Sequence, residues 1–403
     1  IKKHLNNWFK RVHKAKGIQA KPVGSIKHAG NVDNKPVMAV IAETFKSVHA
    51  MYRWYAPMIK RLRRDYYLVM VSMKADVDEQ SISLFDEFIE VPDDEMNLQP
   101  LLNQCTPDIA WFMSVGMRSW GISLANLRWA PLQTMSFGHP ATSHSTEMDL
   151  AFVTSRVFGG QGVVNENMLI LESEIGNVAE AHQDLKLPPP AVLSNDLVSI
   201  AVPCNVMKIN LSFVTALKEI ERLSTKPVRF MFFPNEYGVG HLSTERRLQK
   251  YFPTAVVARR TGYEAYLNLL NQNHLALSPF PFGNATSTID CMVLGLPVVS
   301  LIGAEPHSRS DYDILASLGL AEYCVADSVE NYVNGVVRYI NEPGLLEELR
   351  AMVASKQFME LHQQNENEFS DEMCKALNWA YANQDEVRGP RGLMIEGGGR
   401  WID

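Results

Sequence analysis

Apolar residues along this chain fall into two rhythms, short continuous runs and longer stretches at helical spacing, and the two alternate. From Pro36 the runs VMAVIAE, YYLVMVSM, FIEVP, IAWFMSVG and PLQTMSFG read as strands, with helical spacing over 49–64 and 77–85 between them. Continuous apolar runs separated by helical patterns indicate βαβ units around a parallel sheet covered on both faces. A less regular region follows, and then the proline-dense LPPPAVL of 187–193, which predicts a hinge. Beyond it the alternation resumes with VSIAVP, a helix over 210–223, VRFMFFP, a helix over 243–251, AVVAR, the helical YEAYLNLLNQ, LALSP and PVVSLIG. Helices over 329–340 and 345–358 come next. The acidic, Asn/Gln-rich tail ends in GPRGLMIEGGGRWID and is expected to be largely irregular, while residues 1–35 hold the amphipathic HLNNWFKRVHKA and a Gly/Pro/Asn-rich linker. The pattern divides the chain into 1–35 (helix and linker), 36–190, 191–358 and 359–403 (helix and tail). Its two central parts predict an α/β protein of two facing Rossmann-like domains with a ligand in the cleft.

Composition narrows the function classes. A chain of 403 residues has room for two full cores, since single cores rarely grow past about 300 residues. The net charge of −7 argues against a nucleic-acid surface, and the basic clusters at 2–21 and 60–64 read as solvated faces. Five scattered cysteines imply neither a disulfide framework nor a zinc motif. With no apolar run near the roughly 18 residues of a membrane span and no signal-peptide core, the expectation is a cytoplasmic protein.

The candidate chemistry lies at 278–307, SPFPFGNATSTIDCMVLGLPVVSLIGAEPH, which reads as a strand end, a glycine turn at Gly283, a helix, a strand and a loop. Asn284, Thr286, Ser287 and Thr288 are residue types that cap a helix start. Such an end, with its free N–H groups, attracts phosphate. Asp290 sits one turn in, where a carboxylate accepts hydrogen bonds from a ribose diol, and the GAEPH loop opens at a strand's carboxyl end. Lys208 follows the strand VSIAVP and emerges at the same edge, where an ammonium would neutralise charge growing on a leaving diphosphate. His139 and His144 in GHPATSHS, and His49 after the first strand, suit general-base or acceptor-orienting work, and equally suit capping a turn. Two Asp-x-Asp triplets, at 76–78 and 311–313, are rejected as metal-diphosphate motifs; the second falls inside a helix, which sends its acids to different sides. No metal and no cofactor is expected, and the Asn-x-Ser/Thr triplets at Asn210 and Asn284 are not read as glycan acceptors.

PFPFGN, Thr286 to Asp290, LGLPVV, GAEPH, the Val206-Met207-Lys208 word, GHPATSHS and VIAETFKSVHAMYR occur here in one order over roughly residues 35–355. In this the chain resembles the bacterial cytoplasmic N-glycosyltransferases related to the high-molecular-weight adhesin glycosylating enzyme, cousins of the O-GlcNAc transferases. The resemblance implies a GT-B architecture and an inverting, metal-independent transfer of a hexose, glucose, from a UDP-sugar to asparagine of an acceptor protein or peptide such as an adhesin. It makes Lys208 the phosphate-binding lysine, puts His139 and His144 at the active-site rim, and sets His307 beside the donor sugar. Where that family has a histidine-bearing turn, this chain has Arg259-Arg260-Thr261-Gly262, so Arg260 would supply a planar fork to uracil or phosphate. That family also carries an all-helical N-terminal domain, expected here to be missing, truncated or supplied by another chain. Ser/Thr O-transfer, a UDP-sugar 2-epimerase and a non-catalytic sugar-nucleotide-binding partner subunit are the other readings left open.

Overall fold

A computed structural model describes residues 2–20, 35–160, 163–172, 187–189, 191, 193, 196–342, 344–356, 358–388, 394–396 and 400–402. The expected linker, and most of the segment leading into the proline-dense run, lie outside these. The chain forms two compact units, Ile1–Glu180 together with Gln363–Asp403, and Ala181–His362.

The first unit is built on β1 (Val37–Ile41), β2 (Tyr67–Ser72), β3 (Glu87–Glu90), β4 (Ile109–Phe112), β5 (Leu132–Ser136), β6 (Leu150–Thr154) and β7 (Asn167–Leu171). In the second are β8 (Val198–Val202), β9 (Val228–Phe232), β10 (Val256–Val257), β11 (Leu275–Leu277), β12 (Val298–Leu301) and β13 (Val325–Ala326). All these strands pair in parallel, in the orders β7-β6-β5-β4-β1-β2-β3 and β10-β9-β8-β11-β12-β13. Each order places the first strand of its unit in the interior and reverses beside it, as doubly wound sheets do. The α/β fold class read from the alternation is the one observed.

Continuous apolar runs arise because the strands are buried on both faces. Along β1, Val37, Ala39 and Ile41 face one core while Met38 and Val40 face the other. Core residues on one side include Trp120 and Trp129, and on the other Tyr66 and Leu377 from the C-terminal helix Phe358–Ala382.

Four expectations are corrected. The helix over 77–85 shrinks to Glu79–Ile82, because Asp78 caps it through Ser81 and the chain then turns into β3. The less regular region contains β6 and β7, apolar runs too short to stand out among their Gly- and Ser-rich flanks. Within the tail's last stretch, expected to be largely irregular, the described residues are strands: β14 (Met394–Glu396) adds in parallel to β7, and β15 (Arg400–Ile402) adds antiparallel to β14. The N-terminal helix Lys2–Lys16 is not simply a solvated basic face. Phe9 is buried in the core, Asn6 donates to Ser143 O at 2.9 Å, and His13 meets Ser123 Oγ at 2.8 Å. Lys2 Nζ donates to Val115 O at 2.6 Å, and burial pushes its amine down to about 8. Among the described residues, no helix is long and apolar enough to cross a membrane.

Removing the Phe9 ring should therefore cost the first unit about 3 kcal/mol or more, the usual loss for a buried Phe→Ala change. Denaturant unfolding of the Phe9→Ala chain should show an earlier transition for that unit; an unchanged midpoint would mean the helix contributes nothing to its stability.

Candidate active site

In the second unit the strand order reverses between β8 and β11, and ligands of open α/β sheets bind outside the carboxyl ends at such a point. The loops after these two strands carry most of the residues picked out from the sequence. After β8, the Asn205 side chain accepts from Met207 N at 3.1 Å and sets up the short turn Val206–Lys208. Lys208 Nζ then donates to Gly283 O at 2.5 Å and lies 4.7 Å from the centre of the Phe282 ring. Burial lowers the Lys208 pKa, while the Asp311 carboxylate pulls it back up. The ammonium has one backbone carbonyl and one ring face as partners, which leaves donor capacity for an anion.

The loop after β11 is gripped by Asp311, from the helix Ser310–Ser317. Its carboxylate accepts from Ser278 Oγ at 2.6 Å, Asn284 N at 2.9 Å, Ala285 N at 2.7 Å and Thr288 Oγ1 at 2.7 Å. A Cβ on Gly283 would lie 2.3 Å from Asp311 Oδ2, so glycine is required here for close approach. The turn itself is made by Ala285, whose φ is 51°. Gly283 N also donates to His307 O at 2.9 Å, and the His307 ring stacks on Phe282 at 5.2 Å. Burial lowers the His307 pKa, against the opposing pull of Glu305. Lys208, Gly283, Asn284, Thr288 and His307 are thus held together through Phe282 and Asp311.

The cap expected at this helix takes a different form. None of the side chains of Asn284, Thr286, Ser287 or Thr288 caps Thr286–Val293; Thr288 turns to Asp311 instead. Asn284 is only 7% exposed, and both its Oδ1 and Nδ2 lack a hydrogen-bond partner. Buried amides are normally satisfied, so an orphaned one beside a lysine marks a place where a ligand's polar groups fit. Asp290 is 3% exposed and accepts a hydrogen bond from Tyr263, in the helix Tyr263–Leu270. Arg260, in the loop before that helix, is exposed, and its N–H donates to Glu236 O at 2.9 Å. Asn210 caps the helix Leu211–Leu223 and donates to Phe280 O at 2.6 Å, a packing role.

In the first unit, His49 caps the helix Ala50–Leu62 with Nδ1, accepting from Met51 N at 3.2 Å; burial, aided by Arg53 and Arg118, lowers its pKa. His139 and His144 lie in the loop after β5. Glu166 holds that loop, accepting from Thr142 Oγ1 and Ser143 N, both at 2.8 Å. His144 has a φ of 54°, and its buried Nδ1 has no partner.

Asp311, Phe282, Tyr263 and Glu166 were not singled out for these roles from sequence. A buried acid that grips backbone amides has no spacing rule, and only the fold brings it to its loop.

No family model matches the chain. It is 31% identical over 347 residues to the UDP-glucose:protein N-beta-glucosyltransferase of Actinobacillus pleuropneumoniae serotype 5b (strain L20), covering 84% of this chain and 55% of that protein. The enzyme of the same name from serotype 7 (strain AP76) is 31% identical over 321 residues, 78% of this chain and 52% of the relative. This chain is a relative of those glucosyltransferases. It spans about half the length of the curated relatives it matches. Among solved structures, a mutant of the Thermobaculum terrenum O-GlcNAc transferase aligns with a TM-score of 0.71 at 17% identity, covering 95% of this chain and 73% of that one, a likeness of fold.

Asp311→Asn presents an amide NH₂ to groups that are already donors. It should destabilise the second unit by about 2 to 4 kcal/mol, the combined loss of a charged hydrogen bond and of satisfied buried donors. Calorimetric unfolding of the full chain measures this, and a loss under about 1 kcal/mol would show that the loop does not depend on the carboxylate.

Proposed function

We propose that the chain carries the transfer site of an inverting, metal-independent glycosyltransferase that moves a hexose, glucose, from a UDP-sugar to asparagine side chains of an acceptor polypeptide. The observation that carries this reading is the second unit's switch point, where Lys208 stands beside an orphaned buried amide, Asn284, and the start of a helix. The likeness to protein N-glucosyltransferases supports the donor and the acceptor class. It also supports inversion, because a β-linked product from an α-linked donor is what a single displacement gives.

In this reading the acceptor nitrogen attacks the sugar's anomeric carbon as the bond to the β-phosphate oxygen breaks. Charge then grows on that oxygen, where the Lys208 ammonium and the first-turn amides of Thr286–Val293 stabilise it more than they do the ground state. A fixed ammonium does the electrostatic work of a divalent cation, so none is required. Asp290, oriented by Tyr263, reads the ribose, and Arg260 and His307 line the donor. His49, His139 and His144 are the acceptor-side candidates, one of which takes the amide proton. An amide nitrogen is a poor nucleophile, which makes such placement matter.

Lys208→Ala should cut turnover by about 100-fold or more with a smaller loss of UDP affinity, as removal of a transition-state contact does. The active form is the charged one, and burial lowers its pKa, so the ammonium is lost at lower pH than an ordinary lysine's. UDP affinity should therefore fall as pH rises through that lowered pKa, at a lower pH than an ordinary lysine would give. Loss of the pH dependence in Lys208→Ala identifies the group.

Acceptor and metal are tested together. With UDP-glucose and an Asn-x-Thr peptide, fragmentation should place a hexose on asparagine, and EDTA should leave the rate unchanged. A hexose on serine or threonine instead makes the enzyme an O-transferase, and activity restored by manganese after chelation would overturn the metal-free mechanism.

A further inference from the structure

The first unit has its own switch point, between β1 and β4, and there the chain meets its own carboxylate. Glu43, just past β1, is fully buried. It accepts from Ser114 Oγ at 2.7 Å and from three successive amides, Gly116 N at 3.0 Å, Met117 N at 2.9 Å and Arg118 N at 3.2 Å. Consecutive N–H groups of this kind form a nest that holds anions. The carboxylate is closely packed, since a Cβ on Gly121 would lie only 2.1 Å from Glu43 Oε1. The same loop touches the histidine segment. Gly116, at φ +133°, has so little room that a Cβ there would lie 2.7 Å from His139 Cδ2 and 3.1 Å from Lys2 Cε. Lys2 in turn ties the two loops together, donating to Val115 O at 2.6 Å and to Ala141 O at 3.3 Å.

We infer that Glu43 is an internal ligand: it fills the first unit's anion nest, and through Gly116 it positions His139. The positioning half of the inference rests on the proposed acceptor-side role of His139; the internal-ligand half stands without it. Glu43 is here a positioning residue and does not touch the reacting atoms.

The deletion in Glu43→Ala has the size and charge of acetate, which makes chemical rescue the test. Acetate should raise the melting temperature of Glu43→Ala saturably, while chloride at equal ionic strength should not, and wild type should respond to neither. Glu43→Gln, which turns an NH₂ toward the same donors, should be as damaged and should not be rescued. UDP affinity should stay within about twofold of wild type, while kcat falls by about 10- to 100-fold, as expected for a misplaced group, and recovers with acetate.

A folded Glu43→Ala that ignores acetate would overturn the internal ligand. Unchanged kcat in a destabilised, acetate-responsive variant would overturn the positioning role. Should Glu43→Ala not fold, Ser114→Ala removes one donor only and must show the same split between kcat and UDP affinity. If wild type binds no UDP at all, the glycosyl-transfer reading is what has failed, and the acetate response of the melting temperature still decides the internal ligand.

Discussion

A buried carboxylate that accepts backbone N–H groups is the interaction on which both candidate regions depend. Loops at the carboxyl ends of parallel strands have amides that no sheet ladder satisfies, and leaving such groups buried and unpaired costs about 1 to 3 kcal/mol each. Asp311 answers this for the loop 278–288, Glu43 for 114–118 and Glu166 for 142–143. Each acid is buried, and each is compensated by several donors. The consequence is rigidity, because a carboxylate bound by three or four donors fixes the relative position of every one of them.

Rigidity at these loops is what the proposed transfer site needs. Stabilising charge on a leaving phosphate is effective only when the donors are in place before the reaction, since reorganising them would consume the gain. Lys208 meets that condition through its bond to Gly283 O and its contact with Phe282, and the Gly283 backbone is fixed in turn by Asp311 and His307. In the proposed reading one switch point keeps a lysine beside its loop amides while the other is filled by Glu43, although both sheets reverse beside their first strand.

Two glycines show how a residue's apparent purpose and its actual purpose differ. Gly283 looks like a turn residue, but the positive φ belongs to Ala285, and what Gly283 provides is space for Asp311. Gly116 provides both a positive φ and space for His139. A side chain at Gly283 would press on the buried Asp311 carboxylate, and one at Gly116 on the half-buried His139 ring.

The sequence by itself determined the fold class. Apolar runs such as VMAVI and VSIAV are continuous only when both sheet faces are covered, and their alternation with helical spacing leaves a doubly wound sheet as the solution. It also picked out Lys208, the 283–290 stretch and His307 as one candidate region, since these are short-range words at strand ends, and strand ends are readable from periodicity. The tertiary structure alone decided how these words are held. Asp311 lies 23 to 33 positions along the chain from the groups it binds, Glu43 more than 70 from its loop, and Lys2 more than 110 from the carbonyls it reaches. It alone added the strands at Met394–Glu396 and Arg400–Ile402 to the first unit's sheet and docked the N-terminal helix there. Hydrophobic periodicity is a local signal that survives in one dimension. The satisfaction of a buried amide by a distant carboxylate is not, because any acid of the right length can serve once the fold has brought it near.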